Sequence, residues 1–475
     1  MSGKITSLHQ GLDPVGLRRL RDRMFEPVDV ASIAVFRILF GAIMLWEVWR
    51  FFEHDWIRLY YIDREFYFKY YGFEWVHPWP GDGMYYHFIA VGILALCIMT
   101  GFFYRITSWL FFLAFTYWYL LDQTRYLNHL YLVVLFAFLL ALMPAHRARS
   151  FDAMRRRRIR SDTIPAWCLW LFRIQVGIVY FYAGIAKLNA DWLRLEPIRT
   201  WISKRSDYPI IGPLLESESA AWFFGYGGLA FDLVVAPALL WSKTRPWAFA
   251  ACVIFHVLNK CLFNIGIFPA TMLAATLIMF SPDWPRKLCF FFAPNPKRQN
   301  NPSRQLEIPT LHGNCIVALV VLYLAFQVLV PLRHFLYPGN VHWTEEGHRF
   351  SWHMKLRSKS ARTKVFATDP ERDKTWEVPL KSYLSRTQRK KMGKWPDMCL
   401  QFSHYLADKY REDGYENVEI RVQTRVSLNG RSRKFMIDPD VDLAKERRTL
   451  WPAKWILPLV EPLPGYETSA DDPLD

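Results

Sequence analysis

The stretch ASIAVFRILFGAIMLWEVWRFF, residues 31–52, decides the fold class. It carries only three charged side chains, and a run of about 20 such residues crosses a bilayer as a helix. Further apolar runs follow it near residues 86–104, 106–121, 126–143, 166–188, 222–242, 247–265, 267–280 and 314–333. Several runs are short or nearly joined. The sequence therefore predicts an α-helical multi-pass membrane protein with eight or nine transmembrane helices, followed by an extramembrane α+β domain.

The composition agrees with this class. Hydrophobic residues make up 52% of the 475-residue chain and aromatic residues 17%, which excludes a disordered protein because disordered chains have little to bury. Residues 1–30 are polar and basic and do not resemble a cleavable signal peptide. We expect a cytoplasmic segment at 1–30, a transmembrane domain at 31–333 and an extramembrane domain at 334–475.

The cysteines do not predict a disulfide framework. Six of the seven lie in or beside apolar runs: Cys97, Cys168, Cys252, Cys261, Cys289 and Cys315. The C-terminal domain holds only Cys399, and the chain has no CxxC motif. Packing is therefore expected to stabilise the fold.

The net charge of +16 does not indicate nucleic-acid binding, because the basic residues flank apolar runs. The densest group lies between Arg147 and Arg160, and smaller ones lie at Lys243/Arg245, Arg286/Lys287 and Lys297/Arg298. Loops rich in Lys and Arg stay in the cytoplasm. With the N-terminus inside and nine spans, all these groups are cytoplasmic and residues 334–475 lie outside. That side is periplasmic for a bacterial inner membrane and lumenal for the endoplasmic reticulum.

Patterns in the C-terminal domain predict both strands and a helix. Two stretches alternate as half-buried strands do: Phe350, Trp352, Met354 and Leu356, then Ile420, Val422, Thr424, Val426 and Leu428. Asn429-Gly430 follows the second stretch as a hairpin turn. Between them, helical spacing joins Met398, Phe402, Leu406 and Tyr410.

Polar residues inside membrane spans are the best functional candidates, because each costs several kcal/mol without a partner or a task. They are Arg37, Glu47, Asn128, His129, Arg173, Gln175, Lys187, Asp232, His256, Asn259 and Lys260. Lys187, in FYAGIAKLNADW, can act as a base in apolar surroundings or serve as a snorkelling anchor. Arg37 and Glu47 are each expected to pair with another helix.

Two further pairs have open alternatives. Asn128 and His129, in DQTRYLNHLYL, can hydrogen-bond the oxygens of a quinol or cap the start of a helix. His256 and Asn259 share a helix face and can bind a polar group of a cofactor or bond a neighbouring helix.

Four histidines follow the last span: His334, His342, His348 and His353. A metal site lacks support because neither HExxH nor a Cys/His spacing is present, so we expect solvated or substrate-contacting residues and no metal. The chain also lacks Walker A, GxGxxG and GxSxG motifs, so nucleotide and serine-hydrolase chemistry are not supported.

Together, several strings resemble the vitamin K-dependent gamma-carboxylases and their bacterial HTTM-domain relatives. These strings include VASIAVFRILFG (30–41), YWYLLDQTRYLNHLYL (117–132), VYFYAGIAKLNADW (179–192), FHVLNKCLFNIGIF (255–268) and HFLYPGNVHWTEEGHRFSWHMKLRS (334–358). They extend over nearly the whole chain in the expected order. The resemblance implies an HTTM-type transmembrane domain at 31–333.

The resemblance also implies a reaction. Family members oxidise vitamin K hydroquinone, of the menaquinol or phylloquinol type, with O2 and use the base this generates to add CO2 to a peptide glutamate. By resemblance, Lys187 deprotonates the hydroquinone, and Asn128 and His129 contact the quinone. His334, Trp343 and Trp352 correspond to residues near the glutamate. We predict His256 and Asn259 as further cofactor-binding residues.

The implied partners are a lipid quinone, a glutamate-containing peptide or protein, the membrane and, as an option, a quinone reductase. The chain departs from the family in two ways. Residues 53–85 hold no cysteine, so the family's disulfide to the C-terminal domain cannot form, and Arg357 stands where the animal pattern has a histidine. Competing functions are a quinol-oxidising relative with another substrate, a transporter and a receptor, although a transporter would be expected to show inverted repeats.

Overall fold

The computed structural model describes residues 14–205, 212–263, 265–288 and 310–464. The described residues do not include Cys289, the Lys297/Arg298 pair or residues 465–475 of the predicted outer domain. They also leave out residues 1–13 of the predicted cytoplasmic segment.

Helices follow the predicted apolar runs. The membrane part contains α1 (Pro14–Phe25), α2 (Ala31–Glu53), α3 (Gly83–Thr100), α4 (Tyr104–Leu120), α5 (Asn128–Leu142), α6 (Phe151–Arg155), α7 (Ala166–Ile185), α8 (Ala190–Leu193), α9 (Ile198–Ser203), α10 (Gly212–Leu215), α11 (Glu218–Leu240), α12 (Arg245–Leu262), α13 (Phe268–Thr276), α14 (Trp284–Leu288) and α15 (Thr310–Leu332). Two short antiparallel strands, β1 (Pro27–Asp29) and β2 (Thr163–Pro165), pair near the start of α2 and α7.

Five helical segments among the described residues are long and apolar enough to cross a membrane. They are Ala31–Glu53, Gly83–Thr100, Ala166–Ile185, Glu218–Leu240 and Leu311–Leu336. The other predicted runs form α4, α5, α12 and α13, which fall short of that length or apolarity. The protein is thus a helical membrane protein, and the count of eight or nine spans stays a prediction.

Several intramembrane polar residues have structural partners. The buried Arg37 guanidinium donates to the carbonyl oxygens of Ile98 and Met99, each at 2.7 Å, and so fastens α2 to the end of α3. Arg173 likewise donates to the Ile278 and Phe280 carbonyls. The expectation for Glu47 was wrong: its partner Arg50, at 2.6 Å, is on the same helix, because residues three apart share a helix face.

The C-terminal domain is an antiparallel sheet packed against a helix. It contains α16 (Val341–Thr344), α17 (Leu380–Tyr383), α18 (Arg386–Met392) and α19 (Pro396–Glu412), with β3 (Lys359–Asp369), β4 (Lys374–Glu377), β5 (Glu419–Leu428) and β6 (Lys434–Phe435). The strand order is β4-β3-β5-β6. The predicted strand 420–428 and helix 398–410 are confirmed, and both Asn429 and Gly430 adopt the positive φ of the predicted turn.

The predicted strand at 350–356 was wrong. Phe350, Trp352 and Lys355 have φ values of 63°, 58° and 50°, which turn the chain instead of extending it. Alternation misled the prediction because these apolar side chains dock on the membrane part: Trp352 is fully buried against Tyr131 of α5. The first strand of the domain begins at Lys359.

The domain docks firmly on the membrane part. Arg431 forms an ion pair with Asp191 of α8, with nitrogen–oxygen distances of 2.7 and 2.8 Å, and Asn429 donates to the same carboxylate. Phe68, from the loop between α2 and α3, is fully buried in the core of the C-terminal domain. Non-covalent contacts thus join this loop to the domain, where the family has a disulfide by resemblance.

Candidate active site

A cavity of about 720 Å³ lies at the end of the helix bundle, beneath the C-terminal domain. Residues of α2, α5, α7, α11, α12 and α13 line it, together with His353, Met354 and Lys355. Five candidate residues from three separate stretches of the sequence line this one cavity. They are Asn128, His129, Lys187, His256 and Asn259.

Lys187 lies just after the end of α7 and points inwards. Its residue exposure is 7%, unlike that of a lysine that snorkels to water. The ammonium donates to the Ala183 carbonyl at 3.1 Å and forms an ion pair with the Asp232 carboxylate of α11. It also lies 5.3 Å from the centre of the Trp192 ring. The Lys187 side chain therefore lines the cavity and is paired with the Asp232 carboxylate.

Asp232 is the site residue whose role the sequence did not reveal. It appeared among the intramembrane polar residues, but 45 positions separate it from Lys187, so no helical spacing connects them. Its side chain is 4% exposed. A buried carboxylate inside an apolar run is a signal that a cation lies nearby, although the sequence cannot say which one.

Asn128 and His129 begin α5 at the cavity. The Asn128 amide donates to the His353 carbonyl at 3.1 Å and accepts from the Tyr126 hydroxyl at 2.9 Å, so it joins the membrane part to the C-terminal domain. The helix cap is Leu127, which gives no side-chain bond, so the capping alternative is wrong for this pair. The His129 ring is buried and faces Phe268.

His256 joins two helices. Its Nε2 lies 2.9 Å from the Tyr180 hydroxyl of α7, while within the described part of the chain its buried Nδ1 has no hydrogen-bond partner. The Asn259 amide donates to the Phe255 carbonyl of its own helix. His256 therefore bonds a neighbouring helix and still presents an unused ring nitrogen.

The predicted substrate-binding residues His334, Trp343 and Trp352 do not line this cavity. Trp343 is 1% exposed in the core of the C-terminal domain and donates to the Leu457 carbonyl, and Trp352 is fully buried. His334 is half-buried, and its ring lies 4.8 Å from that of His353. Because both indoles are buried, they can affect a bound substrate only by positioning the residues packed around them. Their assignment to substrate binding stays a prediction.

A second cavity of about 510 Å³ adjoins the first and is strongly basic. It shares Trp201, Leu262, Phe263 and Lys355 with the first cavity, and its cationic lining residues are Lys204, Arg205, Lys355, Arg357 and Lys359. Burial lowers the pKa of Lys359 to about 8, although the adjacent Glu345 carboxylate opposes the shift. An acidic group is the ligand that this lining favours.

Three of the four histidines after the last span are not solvated, contrary to one of the two expectations. His342, His348 and His353 are 4–5% exposed, and burial lowers the pKa of all three well below the usual range. One nitrogen from each ring lies within 4.8 Å of the others.

Two family models match this chain. Residues 25–284 match the HTTM domain, more than half of the chain, and residues 312–462 match the vitamin K-dependent gamma-carboxylase lumenal domain. The chain belongs to the vitamin K-dependent gamma-carboxylase family. Membership indicates a vitamin K-dependent carboxylase with vitamin K as its cofactor and glutamate-containing substrates. No solved structure matches this gamma-carboxylase family member.

Proposed function

We propose that the protein is a vitamin K hydroquinone-dependent gamma-glutamyl carboxylase, which couples quinol epoxidation by O2 to the addition of CO2 to a peptide glutamate. The observation that carries the proposal is the meeting of Lys187, Asn128, His129 and His256 in one cavity. The family pattern assigns the first three to the quinol, and they come from the start of α5 and from the segment just after α7, which are distant in sequence.

The cavity fits a quinol of the menaquinol or phylloquinol type. Its volume of about 720 Å³ lies within the usual range for small-molecule sites, about 300–1,000 Å³. Apolar side chains such as Phe231 and Phe255 line it beside a few polar groups. The unused Nδ1 of His256, buried in the described structure, is suited to bond a ring oxygen.

A lipid quinol has a route to this site between α11 and α12. Phe223 of α11 and Ile254 of α12 both line the cavity, and their exposures of 67% and 60% place them also on the outer surface of the bundle. Gly227 and Gly228 of α11 add no side chain to this gap. An isoprenoid tail can pass between α11 and α12 into the lipid while the quinol ring occupies the cavity.

The hydroquinone, when bound, supplies the reducing power and the strong base that no protein side chain can provide for a glutamate γ-C–H. Lys187 holds the position from which a proton can be accepted, with Asp232 in contact to receive a proton in turn. Asn128 and His129 orient the ring, and the buried walls exclude water from the reactive groups.

The peptide glutamate is proposed to approach from the C-terminal domain. The basic cavity lined by Lys204, Lys355, Arg357 and Lys359 lies next to the quinol cavity and shares part of its wall. Cationic side chains attract a carboxylate and hold it before the reaction. Residues 334–464 thus serve the peptide while the helices serve the quinol.

Mass spectrometry tests the proposal. Membranes that contain the protein receive vitamin K hydroquinone and a glutamate-rich peptide, and we expect both the quinone epoxide and a peptide heavier by one CO2. A peptide that never gains this mass under conditions that give the epoxide would contradict the carboxylase assignment.

The burial of Trp343 and Trp352 favours one other candidate, a quinol-oxidising family member with a different substrate. This candidate predicts epoxide formation in the absence of any glutamate peptide, at a rate that the peptide does not change. A carboxylase predicts that the peptide raises epoxide formation, because the two steps are coupled.

A further inference from the structure

We propose that His342, His348 and His353 form a binding site for one late first-row divalent metal ion, such as Zn²⁺. The site lies between the C-terminal domain and the quinol cavity, since His353 also lines that cavity. This proposal does not rest on the carboxylase function, and the family resemblance implies a reaction that uses no metal.

Convergence of ring nitrogens is the first observation. The ring centres of His342 and His353 are 5.2 Å apart, and those of His348 and His353 are 5.1 Å apart. One ligand atom from each ring lies within 4.8 Å of the other two. Two nitrogens on one zinc ion are at most about 4 Å apart, because each lies about 2.0–2.1 Å from the metal. At the tetrahedral angle this separation is about 3.3–3.4 Å. Binding therefore requires the ring nitrogens to approach by up to about 1.5 Å.

Unused ring nitrogens are the second, independent observation. Within the described residues, His342 Nδ1, His348 Nδ1 and both nitrogens of His353 are buried without a hydrogen-bond partner. A buried polar atom left unpaired costs about 1–3 kcal/mol. Packing does not explain why three polar rings would converge in one buried place and leave these atoms unused, whereas metal ligation does.

The chemical state of the rings suits a metal. Burial and the nearby Arg357 guanidinium lower the pKa of His348, and burial lowers the pKa of His342 and His353 as well. A neutral imidazole nitrogen is the form of histidine that ligates a metal ion. Three imidazoles with an open fourth position favour Zn²⁺ and related late first-row ions over Mg²⁺ or Ca²⁺, which prefer oxygen ligands.

One neighbour, Arg357, opposes metal binding. The Arg357 guanidinium contacts His348 Nε2 and also pairs with the Glu345 carboxylate at 2.5 Å. It competes for a ring nitrogen and adds positive charge beside the site. Removal of the guanidinium by Arg357→Met should therefore tighten metal binding, while Glu345 remains paired with Lys359.

The test uses the full-length protein in detergent, stripped with a chelator and then loaded with Zn²⁺ or Co²⁺. We expect one Zn²⁺ per chain by elemental analysis and, with Co²⁺, the intense visible bands of a tetrahedral site with nitrogen ligands. His353→Asn should weaken binding by more than the ~10–100-fold that loss of an outer-shell partner costs. His404→Asn is the matched control, because His404 lies on α19 and bonds the Glu446 carbonyl, and it should bind as the wild type does.

Wild-type protein that retains no stoichiometric Zn²⁺ and shows no tetrahedral Co²⁺ bands would overturn the proposal, whether or not a variant folds. Equal affinity in His353→Asn and wild type would also overturn it. Neither result depends on quinol oxidation or carboxylation, so a failure here is distinct from a failure of the proposed function.

Discussion

At the residue scale, the contact between Lys187 and Asp232 sets the condition for proton transfer. A lysine must give up its ammonium proton before it can take a proton from a quinol, and the Asp232 carboxylate is in contact to accept it. Both groups are buried, so bulk water does not compete for the contact. In the proposed mechanism, Asp232 therefore receives the ammonium proton and leaves the lysine able to accept one from the quinol.

The variant Asp232→Asn tests this proton transfer. An amide cannot accept the proton of the lysine, so we expect the rate of quinol oxidation to fall by about 100-fold. The measurement is the rate as a function of pH, with Asp55→Asn as a control because Asp55 is an exposed partner of Arg58. A profile identical to that of the wild type would show that Asp232 does not act on the lysine. The thermal midpoint of each variant separates this effect from unfolding.

The residues of the site were predictable from the sequence to different degrees. Lys187, Asn128, His129 and His256 stood out because polar side chains are rare in apolar runs. The partner of Lys187 did not, since Asp232 lies on another helix and only packing brings the two together. The sequence also did not show what covers Trp343 and Trp352: Trp343 packs within the C-terminal domain, and Trp352 packs against Tyr131 of α5.

At the scale of elements, close packing of α7 against α11 brings the charged pair together. Gly184 of α7 leaves no room for a side chain: an added Cβ would lie 2.6 Å from Leu233 Cδ2 and 3.2 Å from the Leu233 backbone nitrogen. Gly177, on the same helix, has Ala236 at 3.9 Å and therefore has space. The glycine at 184 thus sets the separation of the two helices beside Lys187.

Gly184→Val should separate α7 from α11 and weaken the Lys187–Asp232 contact. We expect a destabilisation of about 1–3 kcal/mol from overpacking, together with a loss of quinol oxidation. Gly177→Ala is the matched control and should keep both stability and activity. Thermal unfolding and quinol oxidation measure the two effects, and normal activity in Gly184→Val would show that the spacing is not critical.

The strands and helices of the C-terminal domain show where pattern reading succeeds. In β5 and α19 the apolar side chains face a core within the same domain, so period two and helical spacing identify them correctly. Residues 350–356 also alternate, but they pack on the membrane helices through left-handed turns. A local sequence pattern indicates that side chains are buried. It does not indicate which part of the molecule covers them.

At the scale of the whole molecule, the buried pair of Arg431 and Asp191 joins the C-terminal domain to the helices. Removal of one partner of a buried pair costs about 3–5 kcal/mol, because the other charge stays buried. We expect Arg431→Met to speed the release of residues 340–475 by limited proteolysis. Arg411→Met is the control, since its pair with Asp408 is exposed and worth about 0–1 kcal/mol. Equal release from both variants would argue against a docking role for Arg431.

The orientation of the whole molecule is also testable. The basic cluster at Arg147–Arg160 predicts a cytoplasmic N-terminus and an outer C-terminal domain. A reporter fused after Asp475 that is active only outside the cytoplasm should be active. An inactive fusion that is nevertheless expressed at full length would place the peptide site on the wrong side for the proposed approach.

The central claim is that Lys187 in this cavity drives quinol oxidation and, through it, carboxylation. The most direct measurement follows isotope-labelled CO2 into a glutamate-rich peptide, together with the quinone epoxide, in membranes that carry wild type, Lys187→Ala or Lys187→Arg. We predict both products with the wild type and neither with the variants, with partial return of both when a small amine is added to Lys187→Ala. A guanidinium stays protonated, so Lys187→Arg should remain inactive. Near-normal epoxide and labelled peptide from Lys187→Ala would contradict the account.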